Sequence, residues 1–73
     1  MRFKITYCGM WNYKPRAASL ADDLKKEFNA EAELVESGGG VFEIELDDKL
    51  IFSKKKLNRF PEDGEIVKLV SDG

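Results

Sequence analysis

The residues of this chain best suited to chemistry are Cys8-Gly9-Met10-Trp11. They follow an apolar-alternating run, Phe3-Lys4-Ile5-Thr6-Tyr7, and precede a helical pattern that opens near Pro15. A cysteine between a strand and a helix gains from the unpaired N–H groups of the helix start and from its dipole, both of which favour a thiolate over a thiol. Lys14 and Arg16 fall in the first turn of that helix and add positive charge. In a dithiol arrangement a second cysteine three residues on attacks the mixed disulfide formed by the first. That position holds Trp11, which has no sulfur.

Cys8 is the only cysteine and there is no histidine. An intramolecular disulfide, a structural zinc cluster and the Cys/His or Ser/His nucleophile pairs are therefore excluded, and no bound metal or cofactor is expected. Any chemistry rests on the sulfur. The alternative for a lone cysteine is an inert, buried small hydrophobe. Met10, Trp11 and Tyr13 open a second function class, a non-catalytic binding surface at an exposed turn, since tryptophan and tyrosine are enriched in binding hot spots. Against that stands the plainer role of covering the helix N-terminus.

The formal charge of −2 gives no sign of a nucleic-acid binder. Lys54-Lys55-Lys56 is the one run of three like charges, and it reads as a solvated strand end that discourages edge-to-edge pairing. Without interleaved aromatics, and with Glu43, Glu45, Asp47 and Asp48 in the same hairpin, it makes a poor phosphate groove. No apolar run reaches the length of a transmembrane helix, and Met1-Arg2-Phe3-Lys4 leads directly into alternation without a signal-peptide core. A cytoplasmic monomer is expected, with no membrane and no nucleic-acid partner. The 73 residues, 42% hydrophobic and 36% charged, suit one globular domain over residues 1–73 with a modest core.

Four strands and two helices must position the turn. Arg2 to Tyr7 alternates, with Phe3, Ile5 and Tyr7 on one face. Ala17, Leu20, Ala21, Leu24 and Phe28 form the apolar stripe of the clearest helix, which should end near Asn29. Glu31 to Glu36 is a second strand, and the first strand, helix and second strand form a right-handed β-α-β unit with parallel strands. Ser37-Gly38-Gly39-Gly40 is either a plain turn or a place of close backbone approach. Val41 to Leu46 and Leu50 to Ser53 form a hairpin around Asp47-Asp48-Lys49, with Leu50 and Phe52 on one face. The last helix is placed from Pro61, with Ile66, Leu69 and Val70 as its stripe. No strand is apolar on both faces, so both helices should cover the same side of a four-stranded mixed sheet. The expectation is an α/β two-layer sandwich of order β-α-β-β-β-α.

This order, with the cysteine turn after the first strand, resembles a reduced thioredoxin-like fold, and its details resemble the selenoprotein W family. The likeness spans nearly the whole chain and rests on three segments: Tyr7-Cys8-Gly9-x-x-x-Tyr13-Lys14, Gly40-x-Phe42-Glu43 and Lys49-Leu50-Ile51-Phe52-Ser53-Lys54-Lys55. In that family the first turn carries Cys-x-x-Cys or Cys-x-x-selenocysteine. The resemblance implies thiol-based redox chemistry, with glutathione or a thioredoxin-type protein as partner. Cys8 then matches the first redox position and Trp11 falls on the second, with Gly9, Met10, Tyr13 and Lys14 as the surrounding surface. Selenocysteine is encoded by UGA, one base from the tryptophan codon UGG. Two alternatives stay open: Trp11 replaces a native selenocysteine, or it is a true tryptophan in a lineage without the second redox residue.

Overall fold

A computed structural model describes residues 1–73. Its centre is β1 (Phe3–Cys8), which pairs in parallel with β2 (Ala32–Ser37) and antiparallel with β3 (Phe42–Leu46). β4 (Lys49–Ser53) adds to the far side of β3, giving the order β2-β1-β3-β4. Phe3, Ile5 and Tyr7 are all buried, as their alternation requires. On the opposite face Lys4 lies across from Glu45 and Thr6 across from Glu43, the polar side of a sheet covered on one face only.

The helix α1 (Lys14–Phe28) covers the apolar face. Ala17 and Leu24 are buried, and Leu20, Ala21 and Phe28 pack against the same core, so the whole stripe read from the sequence faces inward. Asn29, in the left-handed conformation at φ 52°, ends the helix and donates its N–H to the Lys25 carbonyl. β1 and β2, joined through α1, are parallel, as expected of a β-α-β unit.

The hairpin departs from its reading at one residue. Asp47 and Asp48 both take positive φ, at 50° and 70°, as a two-residue hairpin connection needs, and Lys49 already belongs to β4. A bulge then intervenes: Ile44 pairs with Phe52 but Glu45 pairs with Leu50, leaving Ile51 as the extra residue. Leu50 and Phe52 therefore do not share a face. Phe52 is buried beside Ile44, while Leu50 is exposed.

The C-terminal third holds two corrections. Lys54-Lys55-Lys56 is not a strand end but most of a short helix, α2 (Lys54–Leu57). Ser53 caps it, its Oγ accepting the Lys56 N–H at 3.4 Å, and Asn58 closes it at φ 60°. The last helix, α3 (Glu65–Asp72), begins at Glu65 rather than Pro61. The intervening loop is held by Glu65, whose carboxylate accepts from both Arg59 nitrogens at 2.7 and 2.8 Å and from the Glu62 N–H at 2.8 Å. Ile66 is buried and Val67 and Val70 are half-buried, whereas Leu69 faces solvent, so the stripe is Ile66, Val67 and Val70. No helix is long and apolar enough to cross a membrane.

The Arg59 guanidinium and the Glu62 N–H hold the Glu65 carboxyl far below its ordinary 4.5, at about 2. A depressed carboxyl stabilises the fold fully above its unfolded value and loses that contribution as pH falls through the folded one. Glu65→Gln is therefore expected to lower the urea midpoint at pH near 6, and the gap from the parent should close between about 4.5 and about 2. A gap unchanged across that range would mean the pair adds nothing specific.

Candidate functional site

Cys8 is the last residue of β1, so backbone pairing positions it from both sides. Its N–H donates to the Val41 carbonyl at 2.9 Å, and the Gly9 N–H donates to the Ser37 carbonyl at 2.9 Å. The turn is thereby tied to the end of β2 and to the residue entering β3. The chain then crosses Met10, Trp11 and Asn12, and the Tyr13 N–H donates to the Trp11 carbonyl at 2.7 Å. Because α1 starts at Lys14, positions 8 and 11 both precede the helix rather than sitting in its first turn.

The Cys8 side chain is only 1% exposed. The backbone N–H of Met10 lowers its pKa most; burial opposes this, the Gly40 and Trp11 N–H groups lower it further, and the Glu36 carboxylate pushes it back up. The net direction is downward. A cradle of main-chain donors stabilises a thiolate much as an anion-binding nest does. Lys14 and Arg16, expected to supply positive charge, are not among these causes. Arg16 instead places its guanidinium 4.1 Å from the centre of the Phe60 ring.

The glycine run is a close approach and not a plain turn. Gly40 has φ +71°, and a Cβ there would stand 3.1 Å from the Trp11 ring and 3.8 Å from the Tyr13 hydroxyl. Trp11 thus lies against the loop that supplies one of the sulfur's donors. At Gly9, which has no positive φ, a Cβ would meet only the flexible end of the exposed Glu36 side chain. Gly40→Ala is expected to cost about 1–2 kcal/mol through its left-handed backbone and to raise the pH midpoint of Cys8 alkylation as the Gly40 N–H withdraws. An unmoved midpoint would remove Gly40 from the cradle.

Met10 and Trp11 project outward, 83% and 63% exposed, as a binding surface requires. Tyr13 is half-buried and acts as a link. Its ring lies 6.0 Å from Trp11 and 4.8 Å, edge-on, from Phe60, which in turn meets Phe42 at 5.3 Å. The turn is therefore joined to the core by a chain of aromatic rings. Lys14, read as part of the surface, is exposed at the first position of α1 and makes no ion pair. Phe60, Lys54 and Glu36 join the site without having been marked in the sequence. Phe60 carried only its place before Pro61, Lys54 was hidden in the lysine run, and Glu36 is an exposed residue near the end of an edge strand, paired with Tyr7.

A family model described as the Rdx family matches residues 2–72. Selenoprotein W of Gallus gallus is 30% identical over 97% of this chain and 89% of its own length. Two solved structures are similar throughout. The selenoprotein W-related protein from Vibrio cholerae aligns with a TM-score of 0.88 and 31% identity, over 97% of this chain and 92% of that one. A protein from Bordetella parapertussis aligns with a TM-score of 0.90 and 31% identity, over 97% and 94%. The fold is thus the thioredoxin-like one that the order of elements led us to expect.

Proposed function

This chain belongs to the Rdx family, whose members point to a redox-related function, and on that footing we propose that it is a thiol redox protein whose reacting atom is the Cys8 sulfur. The observation that carries this reading is the place of Cys8, the last residue of β1 and the first position of the family's motif, where the Val41 and Ser37 carbonyls pin the backbone of Cys8 and Gly9 and main-chain hydrogen bonding draws the thiol pKa downward. In the step it implies, the Cys8 thiolate attacks one sulfur of a partner disulfide. A mixed disulfide forms at Cys8, and the other partner sulfur leaves as a thiolate. With no second cysteine in the chain, an external thiolate must then attack the partner's sulfur in the mixed disulfide, so that the bond to Cys8 breaks, Cys8 leaves as the thiolate and the new disulfide joins the external thiol to the partner. Glutathione or a thioredoxin-type protein is the natural source of that thiolate, and the reducing cytoplasm the natural compartment. Because the sulfur is buried, the turn from Gly9 to Tyr13 has to move aside for the disulfide to enter.

The test is the intact mass of the folded protein after exposure to glutathione disulfide. One glutathione per chain, removed by added thiol and absent from Cys8→Ser, is the expected result. A protein that stays unmodified until it is denatured would overturn the reading and leave Cys8 as a buried small hydrophobe.

A second reading is favoured by one observation: Trp11 stands three residues after Cys8 in a chain similar to a protein named selenoprotein W. If position 11 is selenocysteine in the source organism, its selenolate, ionised at neutral pH, is the nucleophile. A peroxide would oxidise it to the selenenic acid, and Cys8 would condense with that group, releasing water and leaving a selenenyl sulfide for external thiols to reduce. The intact mass of protein from its own organism, read with codon 11, decides between the two.

A further inference from the structure

The protein's ion pairs are Lys25–Glu31, Lys26–Asp22 and Arg59–Glu65, and among the nine basic side chains they leave without an acidic partner are Lys14, Arg16, Lys54 and Lys55. These four gather around the cysteine turn. Lys54 Nζ stands 5.7 Å from the centre of the Tyr13 ring and 5.4 Å from that of Phe60, the same ring that Arg16 covers. Lys55 Nζ lies against Gly39, 3.6 Å from where a Cβ would be. Lys14 opens α1 just beyond Tyr13. Among these cations sit Met10 and Trp11, the two most exposed large apolar side chains of the chain. At the other end of the strands, Glu31, Glu33, Asp47 and Asp48 line a cavity with Arg2 and Lys4. That end thus carries four carboxylates against two cations, whereas the cysteine turn has four cations close by.

We propose that the cysteine-turn end of the sheet is a docking surface for an acidic polypeptide segment. Its carboxylates pair with Lys54, Lys55, Lys14 and Arg16, and its apolar side chains cover Met10 and Trp11. The proposal rests on the redox reading for why such a segment should come to Cys8, but docking itself requires no sulfur chemistry. Lys54 and Arg16 are already held against aromatic rings, so pairing them costs less side-chain ordering than pairing free lysines. Opposite charge then sets encounter rate and register, and the exposed tryptophan supplies the anchor. A nucleic acid fits this surface less well. Glu36 against Gly9, and Glu62 and Asp63 in the loop after Phe60, interrupt the basic area. A continuous phosphate backbone would have to pass them, whereas a short segment with spaced carboxylates need not.

Trp11 is the only tryptophan, so its fluorescence reports on this surface directly. The Cys8→Ser chain, which keeps the surface and removes the sulfur, is titrated with a short cysteine-free peptide rich in glutamate. The same peptide with glutamine for glutamate and an oligothymidine are the comparisons. The expected result is a saturable change with the glutamate peptide alone, weakened about tenfold by Lys54→Glu with Lys55→Glu and strongly reduced by added salt. Lys14→Glu, at an exposed helix start, gives a second variant should the double change disturb α2. Equal response to the glutamine peptide, tighter binding of the oligothymidine, or no response to the glutamate peptide would each overturn the proposal. The two readings fail separately. Lost docking with an intact Cys8 adduct refutes the surface alone, and docking without any Cys8 adduct refutes the redox step alone.

Discussion

Trp11→Cys is expected to turn a single-thiol site into a dithiol one, the largest gain of function that one substitution should produce here. Position 11 lies in the same turn as Cys8 and is exposed, so the new thiol meets no packed side chain that must be expelled. In the mechanism proposed above, the wild-type mixed disulfide waits for a thiolate from solution. In the variant the resolving thiol is part of the turn, and its effective concentration far exceeds the millimolar level of a cellular thiol, so resolution should quicken about tenfold or more. The oxidised variant should also be lighter by two hydrogens and show no free thiol, an outcome wild type cannot reach with one cysteine. Loss of the Trp11 ring from beside Gly40 is a cost. Turnover no faster than wild type, with both thiols still free after oxidation, would mean that the turn cannot bring positions 8 and 11 together.

The largest expected loss of stability belongs to Phe42. It is the largest of the fully buried side chains, lies beside Tyr7 in the sheet register and touches Phe60 edge-on at 5.3 Å. Phe42→Ala removes its own burial and leaves a cavity under the ring chain, at a cost of about 3–5 kcal/mol. A domain of this size has only a limited reserve, and the melting temperature should fall by about 12 °C or more. The effect should also reach the site: without Phe42, Phe60 loses its inner neighbour, and Tyr13 and Trp11 lose their support. Trp11 emission should change well before global unfolding. A loss under about 1 kcal/mol would show that the core repacks around the gap.

Much of the fold could be read from the sequence because its periodic stretches are long and one-sided. The α1 stripe from Ala17 to Phe28, and the alternation of Phe3, Ile5 and Tyr7 against Phe42 and Ile44, leave one way to bury the apolar faces together. What escaped were features set by single residues. The bulge at Ile51 shifts Leu50 to the outer face, and an alternation pattern cannot register one extra residue. Ser53 and Asn58 cut a helix from a lysine run that, by charge alone, looks like a solvated strand end. Pro61 suggested a helix start, yet the Arg59–Glu65 pair and Gly64 delay it to Glu65.

The site was legible in part for a related reason. Cys8 and position 11 stand out because sulfur, and its absence, are properties of residue type. The groups that act on the sulfur are backbone N–H donors of Met10, Gly40 and Trp11, which every residue but proline possesses and no sequence advertises. The basic residues of the first helical turn drew notice by charge, but Arg16 turns to Phe60 instead. Lys54, from a distant segment, takes its place beside the turn only once the hairpin is folded.

The most direct measurement is the pH dependence of the Cys8 alkylation rate in the folded protein, set beside the same chain in denaturant. Only the thiolate reacts, so the midpoint reports its stabilisation. Main-chain donors that lower the thiol pKa should bring the folded midpoint below the denatured one, even though burial makes the plateau rate slower. A folded midpoint at or above the denatured one would contradict the central claim, because burial would then outweigh the cradle and Cys8 would be held as a neutral core thiol.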